Sequence, residues 1–264
     1  HLGPTDMSYS FARQTGIKEI EGYSIMAPTF RRKKPFIVHF VAQFSKPFDD
    51  FAGWKKQGIE KTSAIIRPEN GIVCGEGSGV NVSYKKLKEG EQILIKVALS
   101  HVSAQNARLN LETELPHWDF DKVVGDATDS WNEYLGRVEV EGGTKEQQIK
   151  LYTDLMHTAS KRICSDVDGS YADWTGPEPV IRQVTLDKSG KPVRPFLDGD
   201  GLWGSQWNLN IIWSLLYPEY GNWMAETFLD YYRNAGTVAR FSWGGNYSYV
   251  MVGDHTVPLL AALI

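Results

Sequence analysis

Two clusters in this chain of 264 residues set tryptophan beside glycine and amide side chains. Trp-Gly-Ser-Gln-Trp spans 203–207 and Trp-Gly-Gly-Asn-Tyr spans 243–247. An indole offers a flat apolar face. Glycine lets a ligand come close to the backbone. Asn and Gln both donate and accept hydrogen bonds. Together these suit a sugar ring, with its apolar C–H faces and its rim of hydroxyls. Either Trp could equally fill space between helices. The candidate sugar-binding residues are Trp203, Trp243, Asn246 and Asp254, the last beside His255 and just before a helical run. An aspartate in that place also serves as a helix N-cap.

Other acidic groups invite a metal reading. Asp166 and Asp168 lie in Asp-Val-Asp-Gly, and Asp198 and Asp200 in Asp-Gly-Asp-Gly. Alternating hard oxygen ligands are a calcium-loop feature. The run that starts at Asp166 has Pro177, not Glu, at its twelfth position, so an Asp-rich turn is the expectation. Glycoside hydrolysis needs two carboxylates, and spacing alone selects no pair here. The serine-nucleophile elbow, the zinc-protease helix motif and the nucleotide phosphate loop do not occur. Gly-Glu-Gly-Ser-Gly (75–79) reads as a β-turn. The glycosylation tripeptides at Asn81 and Asn246 are short enough to arise by chance.

Composition narrows the classes. The 28 basic and 32 acidic residues give a net charge of −4, without the basic surplus that a nucleic-acid surface needs. No apolar run reaches the roughly 18–20 residues of a membrane span. The 9 Trp, 12 Tyr and 11 Phe are a high aromatic load for this length and supply both core and sugar-stacking faces. Cys74 and Cys164 read as two thiols rather than a disulfide.

The elements that must position these groups fall into three stretches. Residues 1–101 read as a β-sandwich, with strands expected at 36–44, 63–67, 70–74 and 92–100 between Gly and Pro breaks. Residues 102–143 read as a helical linker. Its first helix is capped by Ser103 and lined by Ala107, Leu111 and Leu115. Its second, 118–135, carries Phe120, Val123, Val124, Ala127, Trp131 and Leu135 on one stripe. From 144 helices pair through long loops. Thr144 and Gln147 make a capping-box pattern. The segment 165–201 reads as irregular, helices follow at 205–217 and 222–235, a loop spans 241–248, and a last helix starts near 256.

Several segments resemble glycoside hydrolase family 92, the calcium-dependent exo-acting α-mannosidases. They include Ser-Tyr-Ser-Phe-Ala (8–12), Phe-Val-Ala-Gln-Phe-Ser-Lys-Pro-Phe (40–48), the stretch 99–115, Ser-Trp-Asn-Glu-Tyr-Leu-Gly-Arg-Val-Glu-Val-Glu-Gly-Gly-Thr (130–144), Leu-Tyr-Thr-Asp-Leu-Met-His-Thr (151–158), Asp-Val-Asp-Gly-Ser-Tyr (166–171) and Met-Val-Gly-Asp-His (251–255). The resemblance implies a multidomain β + α fold, an incomplete N-terminal β-sandwich followed by part of an (α/α)6 barrel over 144–264, with the active site between the domains. It implies inverting release of mannose from α-mannosides or N-glycan mannans, calcium as cofactor, and a bacterial periplasmic or extracellular home.

The family's acid, base and calcium-associated motifs do not occur in 1–264. No catalytic residue is therefore assigned within the chain, and the metal ligands stay unknown. The expectation is a fragment lacking both ends and inactive by itself. Where the family has Trp-Asp-Thr followed by Arg, this chain has Gly204 and Trp207 in the Asp and Arg places, and it has Asn246, Tyr247 and Ser248 where many members have Asn-Glu-Thr. Those departures leave a second reading open, a non-catalytic or divergent glycan-binding homologue.

Overall fold

The computed structural model describes residues 7–30, 32–56, 63–68, 70–159, 162–198, 202–248 and 254–263. They form two units, each with its own packing.

The first unit comprises residues 1–118, 164–193 and 244–246. Its first sheet joins β1 (Met7–Gly16), β2 (Glu19–Met26), β3 (Phe36–Phe44), β6 (Ile72–Gly75) and β8 (Ile95–Ser100) in the order β6-β1-β2-β3-β8, with antiparallel pairing throughout. Its second sheet joins β4 (Asp50–Lys56), β5 (Ser63–Ile66) and β7 (Ser78–Ser83) in the order β5-β4-β7. Ala12, Ile20, Phe44 and Val73 of the first sheet pack with Phe51 of the second and with Phe48 between them. A Cβ at Gly53 would overlap the Val73 side chain, so glycine lets the two sheets approach at this point. The family's sandwich is thus present.

Strand side chains alternate between faces. Phe40, Ala42 and Phe44 of β3 turn to the sandwich core, and Val41 turns to the other face. There α1 (Ala104–Glu114) lays Ala107 and Leu111 against Val41, all three at 1% exposure or less. Burying side chains of the Val and Leu size gains about 1.5–3 kcal/mol each. Ser103 caps the helix by accepting from the Asn106 N–H at 3.0 Å. The first helix of the stretch read as a helical linker over 102–143 therefore packs within the sandwich unit. Arg108 on the same helix reaches Glu19 (2.6 Å) and Glu21 (2.7 Å) on β2. Burial alone would raise both carboxyls, but their partners together outweigh it and hold them below the ordinary value of 4.5: Arg108 on both, with Gln43 and Thr15 on Glu19 and Arg13 on Glu21.

The stretch 165–201, read as irregular, contributes short strands. β10 (Ser170–Asp173) and β11 (Val180–Gln183) make an antiparallel hairpin in the first unit. β9 (Arg162–Ile163) and β12 (Leu197–Asp198) pair in the second. Cys74 and Cys164 are not joined by a disulfide, as read.

The second unit comprises residues 119–163, 194–243 and 247–264. It holds α2 (Phe120–Leu135), α3 (Lys145–His157), α4 (Leu202–Leu216), α5 (Pro218–Ala235) and α6 (Thr256–Leu263). The expected capping box is present, with Thr144 and Gln147 each bonding the other's backbone N–H. Trp213, Tyr217, Met224, Phe228 and Leu259 are fully buried where α4, α5 and α6 meet. Tyr134 of α2 stacks on Tyr217 at 4.0 Å and 5°, and burial pushes the Tyr217 hydroxyl up to about 12.

Two boundaries differ from the sequence reading. α5 starts at Pro218 rather than at 222, because proline at the first helical position needs no N–H donor. The stretch 241–248 is a hairpin of β13 (Phe241–Trp243) and β14 (Asn246–Ser248), not a loop.

Candidate functional site

The hairpin β13–β14 carries two of the four candidate sugar-binding residues. Trp243 ends the first strand and Asn246 begins the second. Gly244 and Gly245 make the turn with φ of 56° and 76°. A two-residue hairpin turn of the I′ kind requires positive φ at both central residues, and glycine supplies it without strain. That Gly-Gly pair between Trp243 and Asn246 was the sequence signal for a hairpin.

The turn is held on the first unit. The Trp174 N–H donates to the Gly245 carbonyl at 3.0 Å. The Phe36 ring lies 3.2 Å from where a Cβ on Gly244 would stand. Asn246 is 1% exposed. Its amide Nδ2 donates to the carbonyls of Pro35 and Gly244, both at 3.4 Å. The side chain expected to meet sugar hydroxyls therefore directs its N–H groups inward.

In the second unit Trp243 is half-buried, with the Arg162 guanidinium 5.7 Å from its ring centroid. Arg162 stands opposite the buried Asp198 across the β9–β12 pair. Nothing in the sequence marked Arg162, because its partner lies 81 positions away. The Tyr247 hydroxyl donates to the Thr237 carbonyl at 2.6 Å, so this departure from the family pattern has a structural use.

Asp254 is exposed in the approach to α6. Leu259 N–H bonds the His255 carbonyl, which puts the cap position on His255 rather than Asp254. The Thr256 hydroxyl donates to the Ala239 carbonyl at 2.8 Å and ties the start of α6 to the chain just before β13. Trp203 lies on α4, and its side chain is outside the described residues, as are Asp200 and 251–253. Trp207 is 71% exposed.

The acidic pair Asp166 and Asp168 does not fit a calcium ion. Asp166 accepts from Ser100 Oγ (2.7 Å) and Asn110 Nδ2 (2.8 Å), one on each carboxylate oxygen. Asp168 accepts from Asn106 Nδ2 (3.2 Å) and the Ser170 N–H (2.9 Å), again one on each. Each of the four carboxylate oxygens thus already accepts a protein hydrogen bond. Burial pushes the Asp166 carboxyl up, against those donors. Among the described residues no three His, Cys, Asp or Glu side chains could share a metal ion.

Two family models cover the chain. The glycosyl hydrolase family 92 N-terminal domain matches residues 1–100, and the family 92 catalytic domain matches 106–264. The chain belongs to glycoside hydrolase family 92. A curated relative from Arthroderma benhamiae, described as an uncharacterized secreted glycosidase, is 26% identical over 145 residues, which cover 50% of this chain and 19% of the relative. Among solved structures, a family 92 α-mannosidase of Bacteroides thetaiotaomicron superposes with a TM-score of 0.80 at 22% identity, over 97% of this chain and 33% of that one. A second protein of that organism, described as an inverting mannosidase, gives 0.78 at 21%, over 96% and 32%. At those identities the likeness is one of fold. The chain spans about a third of the length of these solved family 92 structures. No helix among the described residues is long and apolar enough to cross a membrane.

Proposed function

We propose that this chain is the sandwich and early-barrel portion of a family 92 glycoside hydrolase that releases mannose from α-mannosides or mannose-containing glycans. The observation that carries the reading is the match of both family models in sequence order, together with a fold shared over 97% of the chain with an α-mannosidase. A related α-mannosidase structure was solved with mannoimidazole, which supports a mannose-like ligand. Inversion belongs to this reading, by way of the inverting mannosidase of similar fold.

In this reading Trp203, Trp243 and Asp254 contact the sugar. Trp243 offers an apolar face for a pyranose ring, and Asp254 accepts from hydroxyls. The acid and base come from outside the described residues. Calcium dependence is part of the proposal, with ligands other than Asp166 and Asp168. A periplasmic or extracellular site of action is also proposed, supported by the secreted relative.

Mannose release from an α-mannobiose by the complete gene product tests the reading, with and without a calcium chelator. Release that the chelator abolishes is expected. Tight mannoside binding without any release would replace the hydrolase by a glycan-binding homologue, the reading that Gly204 favours by removing a carboxylate from its motif.

A further inference from the structure

We propose that Ile95, Val97 and Leu99 on β8 are the seat of a further β-strand of the sandwich, supplied by a part of the complete gene product outside residues 1–264. The inference stands apart from the activity proposed above.

Register fixes which way these side chains point. Ile95 pairs with Phe44, Val97 with Ala42 and Leu99 with Phe40. Residues directly opposite in an antiparallel pair share a face, and Phe40, Ala42 and Phe44 turn to the sandwich core. Ile95, Val97 and Leu99 therefore lie on the core side of their sheet. Yet they are 56%, 52% and 59% exposed, and none of them joins the core cluster. The opposite face of β8 is the covered one. Ala98 packs with Val41 and α1, and the buried Ser100 donates to Asp166. Lys96 reaches the Leu115 carbonyl (2.7 Å) with its ammonium over the Trp118 ring.

Unequal sheets leave that core side open. Five strands in the first sheet meet three in the second. β4 lies beside β6, and β7 beside β1 and β6, so the second sheet covers the β6–β1 end. β8 is the edge strand at the other end. Natural edges are protected by charge, by proline or by a cover. β8 has no proline, and its one charge, Lys96, is turned to the α1 side, so protection of the core side falls to a cover.

The shape of the row suits a strand. Three apolar side chains at alternate positions span about 13 Å, at about 3.3 Å per residue. They make a flat surface against which a second sheet packs about 10 Å away. Among the described residues β7 pairs with β4 alone, which leaves the second sheet an edge for one more strand. This chain spans about a third of the length of the solved family 92 structures, so chain of family length is enough to supply it. A strand of the same polypeptide also avoids the loss of translational freedom that a second copy would meet.

The test uses the complete gene product with Val97→p-benzoylphenylalanine, irradiated and mapped by peptide mass spectrometry. The expected result is a cross-link within one polypeptide, to a segment outside residues 1–264. A cross-link between two copies, to another protein, or to a position within 1–264 overturns the proposal. Should that bulky variant fail to fold, Val97→Cys replaces it. Its thiol is expected to react with a disulfide reagent at least about a hundredfold more slowly than that of Lys88→Cys, an exposed position in the same unit. Equal rates would leave the row open to solvent and overturn the proposal as well. Neither readout depends on mannose release.

Discussion

Helices α1 and α2 carry apolar side chains at similar helical spacing and meet different surroundings. α1, in the sandwich unit, buries Ala107 and Leu111 against Val41. α2, in the helical unit, buries none of its residues, and Phe120, Val124 and Trp131 are 65%, 50% and 43% exposed. The same contrast recurs on α4, where Trp207, Ile211 and Leu215 form an exposed ridge at four-residue spacing. Periodicity in sequence predicts a helix with one apolar face. It does not say whether this chain supplies the surface that covers that face. Exposed apolar areas of this kind mark interaction surfaces.

The contrast can be broken by substitution. Leu111→Ala should destabilise the sandwich by about 3 kcal/mol, the range for a buried Leu that leaves a cavity. Trp131→Ala should stay within about 0.5 kcal/mol, as exposed positions do. Urea titration of both variants checks this, and equal losses would mean that α2 is as well covered as α1.

A smaller effect sharpens the sandwich side. Arg108→Met removes the cation that Glu19 and the buried Glu21 share, leaving Arg13 on Glu21, and should cost about 1–3 kcal/mol at neutral pH. Both carboxyls are held below their ordinary value, so their contribution is present above about 4.5 and is lost as pH falls through their lowered folded values. The Arg108→Met penalty should therefore shrink in acid, and a penalty independent of pH would count against the ion pairs. On the helical side Thr144→Ala, which breaks the capping box, should cost about 1 kcal/mol, read from helical signal on heating.

The smallest effect is a pH trend. Burial lowers both His39 and His101 below the ordinary value of 6.5. Neutral imidazoles then favour the folded sandwich above 6.5, and that stability fades as pH falls below it. Replacing both by Gln should flatten the melting-temperature profile between pH 5 and 7. An unchanged slope would assign the trend to other groups.

Much of the scaffold was legible in the residues. The Phe36–Phe44 strand, the Ser103 cap and the Thr144–Gln147 box announce themselves by local pattern, because each rests on a few neighbouring side chains. The β13–β14 hairpin was missed, since strands of three residues are too short for alternation to show, although Gly244-Gly245 was the available sign. The helix expected over 222–235 begins at Pro218, one turn earlier, because its first turn carries no apolar periodicity.

The candidate site was legible in part. Trp243 and Asn246 stood out by type, but only burial shows Asn246 turned inward, and only pairing places Arg162 beside Trp243. Asp166 and Asp168 were expected to form an Asp-rich turn rather than a calcium loop, but the side chains that hold them, Ser100 on β8 and Asn106 and Asn110 on α1, lie far off in sequence.

The central proposal is that the complete gene product releases mannose with proton-transfer groups that lie outside the described residues. Mannose release from α-mannobiose, measured side by side for the 264-residue chain and the complete gene product, tests it most directly. Release by the complete product, with none from the chain, is the predicted result. Release by the chain alone, or by neither, would contradict it.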